Sequence, residues 1–111
     1  MAFFRASIGG GGSGMQCAEG TFTMTTSAQN IDIGFQPKYL AVCFNTTSKV
    51  QGYIYNSDVS TSKYLTVATG SAAGWANLNT GSVRLKSIDN NGFTTLCSGG
   101  YNGTYRYFAI G

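Results

Sequence analysis

Short runs of hydrophobic, aromatic and β-branched residues alternate along the chain with clusters of Gly, Asn, Ser and Asp. Each run is long enough for one β-strand, and the residues between the runs are those that tight turns prefer. The pattern predicts eight strands, at residues 18–25, 30–34, 38–45, 50–56, 63–68, 82–88, 92–97 and 104–110. Eight short strands at this spacing indicate an all-β fold, namely an antiparallel, jelly-roll-like β-sandwich.

Alternation of apolar and polar residues predicts which side of a strand faces the core. On this basis Arg84 and Lys86 are expected to face water or a neighbouring subunit. The residues assigned to the core by the same argument are Leu40, Val42, Phe44, Val83, Leu85, Phe108 and Ile110.

The end of the chain contains two pairs typical of hairpin turns, Asn91-Gly92 and Asn102-Gly103. Asn and Gly accept the positive φ angles that such turns require. The last three strands are therefore predicted to follow one another as hairpins.

Composition agrees with a β fold. Of the 111 residues, sixteen are Gly, fourteen are Phe or Tyr, and eleven are charged. This balance favours short strands joined by tight turns over long helices. A chain of this length is expected to form one domain with its own core.

The N-terminal part of the chain differs from the rest. Residues 1–14 consist of an apolar arm, residues 1–8, and a Gly-rich linker, residues 9–14. The β-sandwich domain is predicted to span 15–111. A large apolar side chain gains roughly 1.5–3 kcal/mol when it is fully buried. The arm is therefore expected to be flexible and to dock onto a partner protein, and the candidate anchoring residues are Phe3, Phe4, Arg5 and Ile8.

Charge and hydropathy exclude two classes of partner. The net charge is +3, and the basic residues are scattered along the chain. Nucleic-acid binding needs clustered charge, so no nucleic-acid partner is expected. No run approaches the ~20 apolar residues of a membrane helix, and the first residues do not resemble a signal peptide. A protein made in the cytoplasm, without a membrane partner, is predicted.

The thiols and carboxylates predict neither a metal site nor an enzyme. Three cysteines, Cys17, Cys43 and Cys97, fit neither a disulfide framework nor a metal knuckle, and are expected to be buried free thiols. The chain has no histidine, the commonest general base. Four acids lie in four separate segments, so the protein is expected to be non-enzymatic and without cofactors; they are Glu19, Asp32, Asp58 and Asp89.

Aromatic and amide side chains offer candidate ligand contacts instead. Tyr53 and Tyr55 share one face of a strand, and Trp75 and Asn77 lie in a segment predicted to be a Gly-rich loop. An exposed indole is a stacking platform for sugars or protein surfaces. The alternative interpretation is that Trp75 plugs the open end of the sandwich.

Several segments of the sequence resemble small β-sandwich domains on the surface of tailed-bacteriophage virions. Such domains occur in capsid-decorating proteins, head fibres and tail-fibre tips. The resemblance rests on residues 20–23, 31–40, 91–94 and 105–111, and on the aromatic start followed by polyglycine. It implies a structural protein on the virion surface, made in the bacterial host cytoplasm, with other capsid or tail proteins as partners. It also implies a homo-oligomer, with a trimer favoured.

The preferred interpretation within this family is a capsid decoration or head-fibre protein. With no long shaft before the domain, attachment is expected through the arm or through one face of the domain. The alternative is a receptor-binding tail-fibre tip or adaptor that recognises a host surface glycan. A plain host carbohydrate-binding module is a third interpretation.

Overall fold

The computed structural model describes the backbone of residues 3–8 and of residue 71, and the whole of residues 15–45, 50–68 and 72–111. Within these residues the chain forms strands and turns, with no helix long and apolar enough to cross a membrane. The ten strands are β1 (Phe3–Ile8), β2 (Met15–Met24), β3 (Gln29–Asp32), β4 (Tyr39–Phe44), β5 (Gln51–Asn56), β6 (Lys63–Ala68), β7 (Ser71–Asn77), β8 (Val83–Asp89), β9 (Gly92–Cys97) and β10 (Gly103–Ile110).

The strands form two antiparallel sheets. The large sheet has the order β1-β2-β10-β4-β5-β6-β7, and the small sheet has the order β3-β9-β8. Strands β4 to β7 follow one another as consecutive neighbours, whereas β10 inserts between β2 and β4. The predicted all-β, antiparallel two-sheet fold is confirmed.

Every strand predicted from the sequence is present, and its bounds agree within a few residues. The structure adds β1, in the segment expected to be a flexible arm, and β7, in the segment expected to be a Gly-rich loop. The linker 9–14 lies outside the described residues.

The prediction of two successive hairpins at the end of the chain is half right. Strands β8 and β9 do pair, with Asp89 opposite Gly92. Strand β10 instead lies in the other sheet, so the segment 98–102 carries the chain between sheets, and β10 begins at Gly103, whose φ is 152°. Positive φ angles among the described residues occur at other positions than Asn91 and Gly92. The role assigned to Gly92 is therefore wrong, and the glycine is needed for another reason.

The core lies between the two sheets and is rich in aromatic rings. Phe93 of the small sheet contacts Phe22 and Tyr107 of the large sheet edge-on, with ring centroids 6.1 and 5.7 Å apart. Edge-to-face pairs at these distances stabilise a core beyond the area they bury. Tyr53 and Tyr64 form a similar pair at 5.3 Å.

Most of the buried tyrosine hydroxyls are hydrogen-bonded. The Tyr53 hydroxyl donates to Thr95 Oγ1 at 2.7 Å, which in turn donates to the Arg84 carbonyl at 2.8 Å. The Tyr105 hydroxyl accepts from Gln51 Nε2 at 2.6 Å and donates to the Tyr101 carbonyl at 2.9 Å. These bonds offset the cost of removing the hydroxyls from water.

The Tyr107 hydroxyl is an exception, because it is buried and has no partner among the described residues. Tyr107→Phe removes this unpaired group and keeps the ring, so we expect it to raise the free energy of unfolding by about 1 kcal/mol. Tyr53→Phe, the matched control, should lower it by about 1 kcal/mol because Thr95 loses a donor. Urea unfolding of both variants measures the difference, and equal losses would contradict the prediction.

Candidate binding surface on the outer sheet face

The outer side of the large sheet carries a line of apolar residues that crosses five strands. Four cross-strand pairs build it: Phe108 with Ala41, Ala41 with Ile54, Ile54 with Leu65, and Leu65 with Trp75. Residues directly opposite each other in antiparallel strands project from the same face, with Cβ atoms ~5 Å apart. We call these five residues the apolar row.

The apolar row is exposed to a degree unusual for its residue types. Phe108 and Ile54 are each 46% exposed and Trp75 is 54% exposed, while Ala41 and Leu65 are half-buried. Five strands at ~4.8 Å spacing make the row about 19 Å long. A sheet face that meets water normally carries polar side chains, and a continuous exposed apolar patch marks an interaction site.

A recess lies beside the apolar row. Gly52 of β5 pairs with Cys43 of β4 and Val67 of β6, and all three residues line an apolar groove. The groove has a volume of about 220 Å³ and is also lined by Val50 and Ile54. The same face therefore offers both projecting rings and a hollow that an apolar side chain can enter.

Few charges border this face. Glu19 of β2 lies opposite Phe108, and Arg106 of β10 is two residues away along the strand. Arg106 donates to Asn45 Oδ1 at 3.2 Å, and Lys63 donates to Asn77 Oδ1 at 2.8 Å. The face is close to neutral, which suits an apolar protein contact better than a polyanion.

Trp75 does not plug the sandwich, so that interpretation is wrong. It lies in strand β7 and, through its pairing with Leu65, projects from the outer face. Asn77, the other residue of the predicted loop, is exposed at the end of the same strand, and its side-chain oxygen accepts a hydrogen bond from the Lys63 ammonium. Of the candidate ligand contacts, only Trp75 belongs to the apolar row.

Tyr53 and Tyr55 share one face, as predicted, but it is the core face. They are only 1% and 3% exposed, because the two rings fill the space between the sheets while Gly52 and Ile54 take the outward positions. Tyr53 is therefore excluded as a surface ligand contact. Burial raises the pKa of Tyr55, whose ring borders a cleft at the end of the sandwich.

The core assignment of the last strand is wrong by one residue. Tyr105, Tyr107 and Ala109 are buried, and Phe108 is exposed. Ile110, the other residue assigned to the core, is half-buried at the end of the strand. The assignments of Leu40, Val42, Val83 and Leu85 are confirmed, and Phe44 packs on the core while half-buried.

The four candidate anchoring residues of the arm, Phe3, Phe4, Arg5 and Ile8, all fall in β1. This strand pairs antiparallel with β2, from Phe3 opposite Gly20 to Ile8 opposite Met15. The arm thus adds a strand to its own domain, which corrects the expectation of a free arm. The physical reason is that the edge of β2 presents backbone groups that gain hydrogen bonds from a further strand.

The three thiols are free but differ in exposure. Cys97 is buried, Cys17 is half-buried and Cys43 is exposed. The prediction of buried thiols is confirmed for Cys97 alone, because Cys43 alternates with the buried residues Leu40 and Val42 and so faces outward. Burial raises the pKa of the Cys97 thiol, which makes it less reactive.

This difference predicts the order of labelling by a maleimide. In dilute native protein we expect Cys43 to react first, Cys17 more slowly and Cys97 only after unfolding. Mass spectrometry with peptide mapping after short exposures measures the order. Equal rates at all three thiols, or a slow Cys43, would contradict the assignment of the outer face.

The carboxylates are held in separate structural roles. The Asp32 carboxylate accepts a hydrogen bond from the Gly34 amide at 3.0 Å. The Asp89 carboxylate accepts hydrogen bonds from the hydroxyls of Ser87 and Thr94 at 2.8 and 2.6 Å. The Asp58 carboxylate accepts the Tyr39 hydroxyl, and this hydrogen bond raises the pKa of Tyr39. Glu19 lies on the large sheet and Asp32 on the small one, so the structure does not place them in one pair.

Metal ligands do not cluster either. Within the described ranges, no three His, Cys, Asp or Glu side chains come together in a group that could hold a metal ion.

Comparison of the chain with protein-family models, curated proteins and solved structures gives no significant match.

Proposed function

We propose that this protein is a non-enzymatic structural protein of a bacteriophage virion surface, a capsid decoration or head-fibre protein, which assembles as a homo-oligomer through its outer sheet face. The observation that carries the proposal is the apolar row, since three of its side chains are about half exposed. Covering such a surface gains free energy in proportion to the apolar area removed from water.

A second copy of the same chain suits this face for two reasons. The face carries both the projecting Trp75 and Phe108 rings and the groove over Gly52, so that one copy can fill the recess of another. It also carries Glu19 and Arg106, charges of opposite sign that two copies can pair across a contact.

The outer face of the large sheet is also large enough for a stable interface. Seven strands at ~4.8 Å spacing are about 29 Å wide, and the protein measures 44 × 28 × 24 Å. A face of this size has room for the ~800 Å² that each partner contributes to a stable interface.

The virion setting and the trimer are supported by the sequence resemblance, and attachment to a neighbouring virion protein is assigned to β1. That strand lies at one edge of the large sheet. An edge strand can accept a strand from another protein, which is a common mode of attachment in assemblies.

Ile54→Lys tests the assembly, because it places a charge at the centre of the apolar row. We expect the unaltered protein to form a trimer by light scattering and the variant to be a monomer with little change in its urea unfolding. Maleimide labelling of Cys43 should slow as the protein assembles, because Cys43 shares the face.

The matched control is Val59→Lys, at an apolar residue that is 61% exposed in the turn after β5 and outside the apolar row. It should assemble normally. A monomer at all concentrations for the unaltered protein, or equal assembly of both variants, would overturn the role of this face. In purified particles, Ile54→Lys alone should reduce incorporation.

A further inference from the structure

A cleft lies between the two sheets at one end of the molecule, away from the apolar row. Its volume is about 430 Å³, which falls within the range of small-ligand sites. Its walls are the segment 36–38, the end of β5 with the turn that follows, Leu78 and the end of β8. The cleft exists because β8 is the edge of a three-stranded sheet that cannot cover seven strands, and β8 shifts register between Leu85 and Ser87.

Tyr55, a residue that is only 3% exposed, contributes its ring and hydroxyl to the lining of this cleft. Among the described residues, the Tyr107 hydroxyl is the one buried side-chain polar atom without a hydrogen-bond partner, so the Tyr55 hydroxyl is accessible from the cleft. The hydroxyls of Tyr53, Tyr64 and Tyr105 all donate to a partner. A hydroxyl that reaches the cleft can donate a hydrogen bond to a ligand there.

The rest of the lining combines one cation, several hydroxyls and an apolar surface. Lys38 is the only charged residue among the described residues that line the cleft. Ser57, Thr61 and Ser87 add hydroxyls, and the Ser87 hydroxyl is oriented by donating to Asp89 at 2.8 Å. The apolar part of the lining consists of Pro37, Leu78 and Ile88.

Backbone hydrogen bonds hold these walls in place. The Ser57 amide donates to the Lys38 carbonyl at 2.8 Å, the Lys38 amide donates to the Ile110 carbonyl at 2.8 Å, and the Leu78 amide donates to Ser62 at 3.0 Å. A preformed site loses little entropy when it binds a ligand.

We propose that this cleft binds a sugar that bears a carboxylate, such as a uronic acid or a sialic acid. A sugar ring presents hydroxyls on its rim and C–H groups on its faces, which match the hydroxyls and the apolar wall. A single carboxylate matches the single ammonium of Lys38, and that contact is a charge-assisted hydrogen bond. The cleft and the apolar row are separate, so this inference does not depend on assembly.

Titration of the isotope-labelled full chain with glucuronic acid and N-acetylneuraminic acid, followed by amide NMR, tests the proposal. Saturable shifts confined to the cleft residues are expected with at least one of the acids. Glucose, which has no carboxylate, and acetate, which has no ring, are the probe controls and should bind at least about tenfold more weakly. Equal effects of acetate would overturn the assignment to a sugar.

Two variants locate the site. Lys38→Gln should weaken binding of the acidic sugar about tenfold, whereas Lys63→Gln, an exposed lysine outside the cleft, should leave it unchanged. Tyr55→Phe should weaken binding and leave urea unfolding unchanged, because it keeps the buried ring and removes only a hydroxyl that is accessible from the cleft. Unchanged affinity in Lys38→Gln, or no shifts at the cleft with either acid, would overturn the proposal. Ile54→Lys should bind the sugar normally, so failure of the assembly proposal is a separate result.

Discussion

Phe93→Ala is expected to lower the free energy of unfolding by about 3–5 kcal/mol, the usual cost of deleting a buried aromatic ring. Phe93 is fully buried and contacts the rings of Phe22 and Tyr107, so it joins the small sheet to the large one. The cavity left by the ring would lie between the two sheets, where neither sheet can close it without moving as a whole. Urea unfolding followed by tryptophan fluorescence measures the loss.

Phe108→Ala is the matched control, since it is the same substitution at a ring that is 46% exposed. We expect it to cost less than about 1 kcal/mol in the monomer, because much of the ring is already in water. If Phe108 belonged to the core, as alternation in the sequence suggests, both variants would lose comparable stability. Comparable losses would therefore contradict the observed faces of β10.

The position of the strands could be predicted from the sequence because Gly, Asn, Ser and Asp interrupt every apolar run. Which side of β10 faces the core could not be predicted. Large, partly apolar residues occur on both sides of the strand, and Arg106 is the one charged residue among them; they are Tyr105, Tyr107, Phe108 and Ile110. Periodicity assigns a face only where polar residues alternate. Burial then depends on which rings meet the other sheet.

Strand β7 was predicted to be a loop for a different reason. Its sequence, Ser71–Asn77, contains Ala and Gly and no β-branched residue, so its intrinsic preference for a strand is low. Pairing with β6 at the edge of the large sheet decides its conformation. Trp75 consequently joins the apolar row, which sequence spacing alone could not reveal.

The apolar row and the end cleft both depend on long-range register. Ile54 and Trp75 become near neighbours only through Leu65, and the cleft joins residues from the two sheets. A turn signal such as Asn102-Gly103 indicates that the chain changes direction but not whether the next strand pairs in the same sheet. The separation of the last two strands into different sheets is a property of the packed core.

Gly92→Ala is expected to lower the free energy of unfolding by at least about 3 kcal/mol, because the new methyl group has no space. A Cβ atom at Gly92 would lie 1.9 Å from the Ile31 carbonyl oxygen and 3.0 Å from its carbonyl carbon. Both are backbone atoms of β3, which pairs with β9 at this position. Relief would require β3 to separate from β9, exposing Ile31 and the edge of the small sheet.

Gly74→Ala is the control for this substitution, since a Cβ atom there meets nothing within 4 Å. We expect Gly74→Ala to leave stability unchanged or to raise it by up to about 1 kcal/mol, through the lower entropy of the unfolded chain. Urea midpoints measure both effects, and amide hydrogen exchange should show lost protection in β3 for Gly92→Ala. A Gly92→Ala protein as stable as the unaltered chain would mean that β3 does not approach β9 this closely at Gly92.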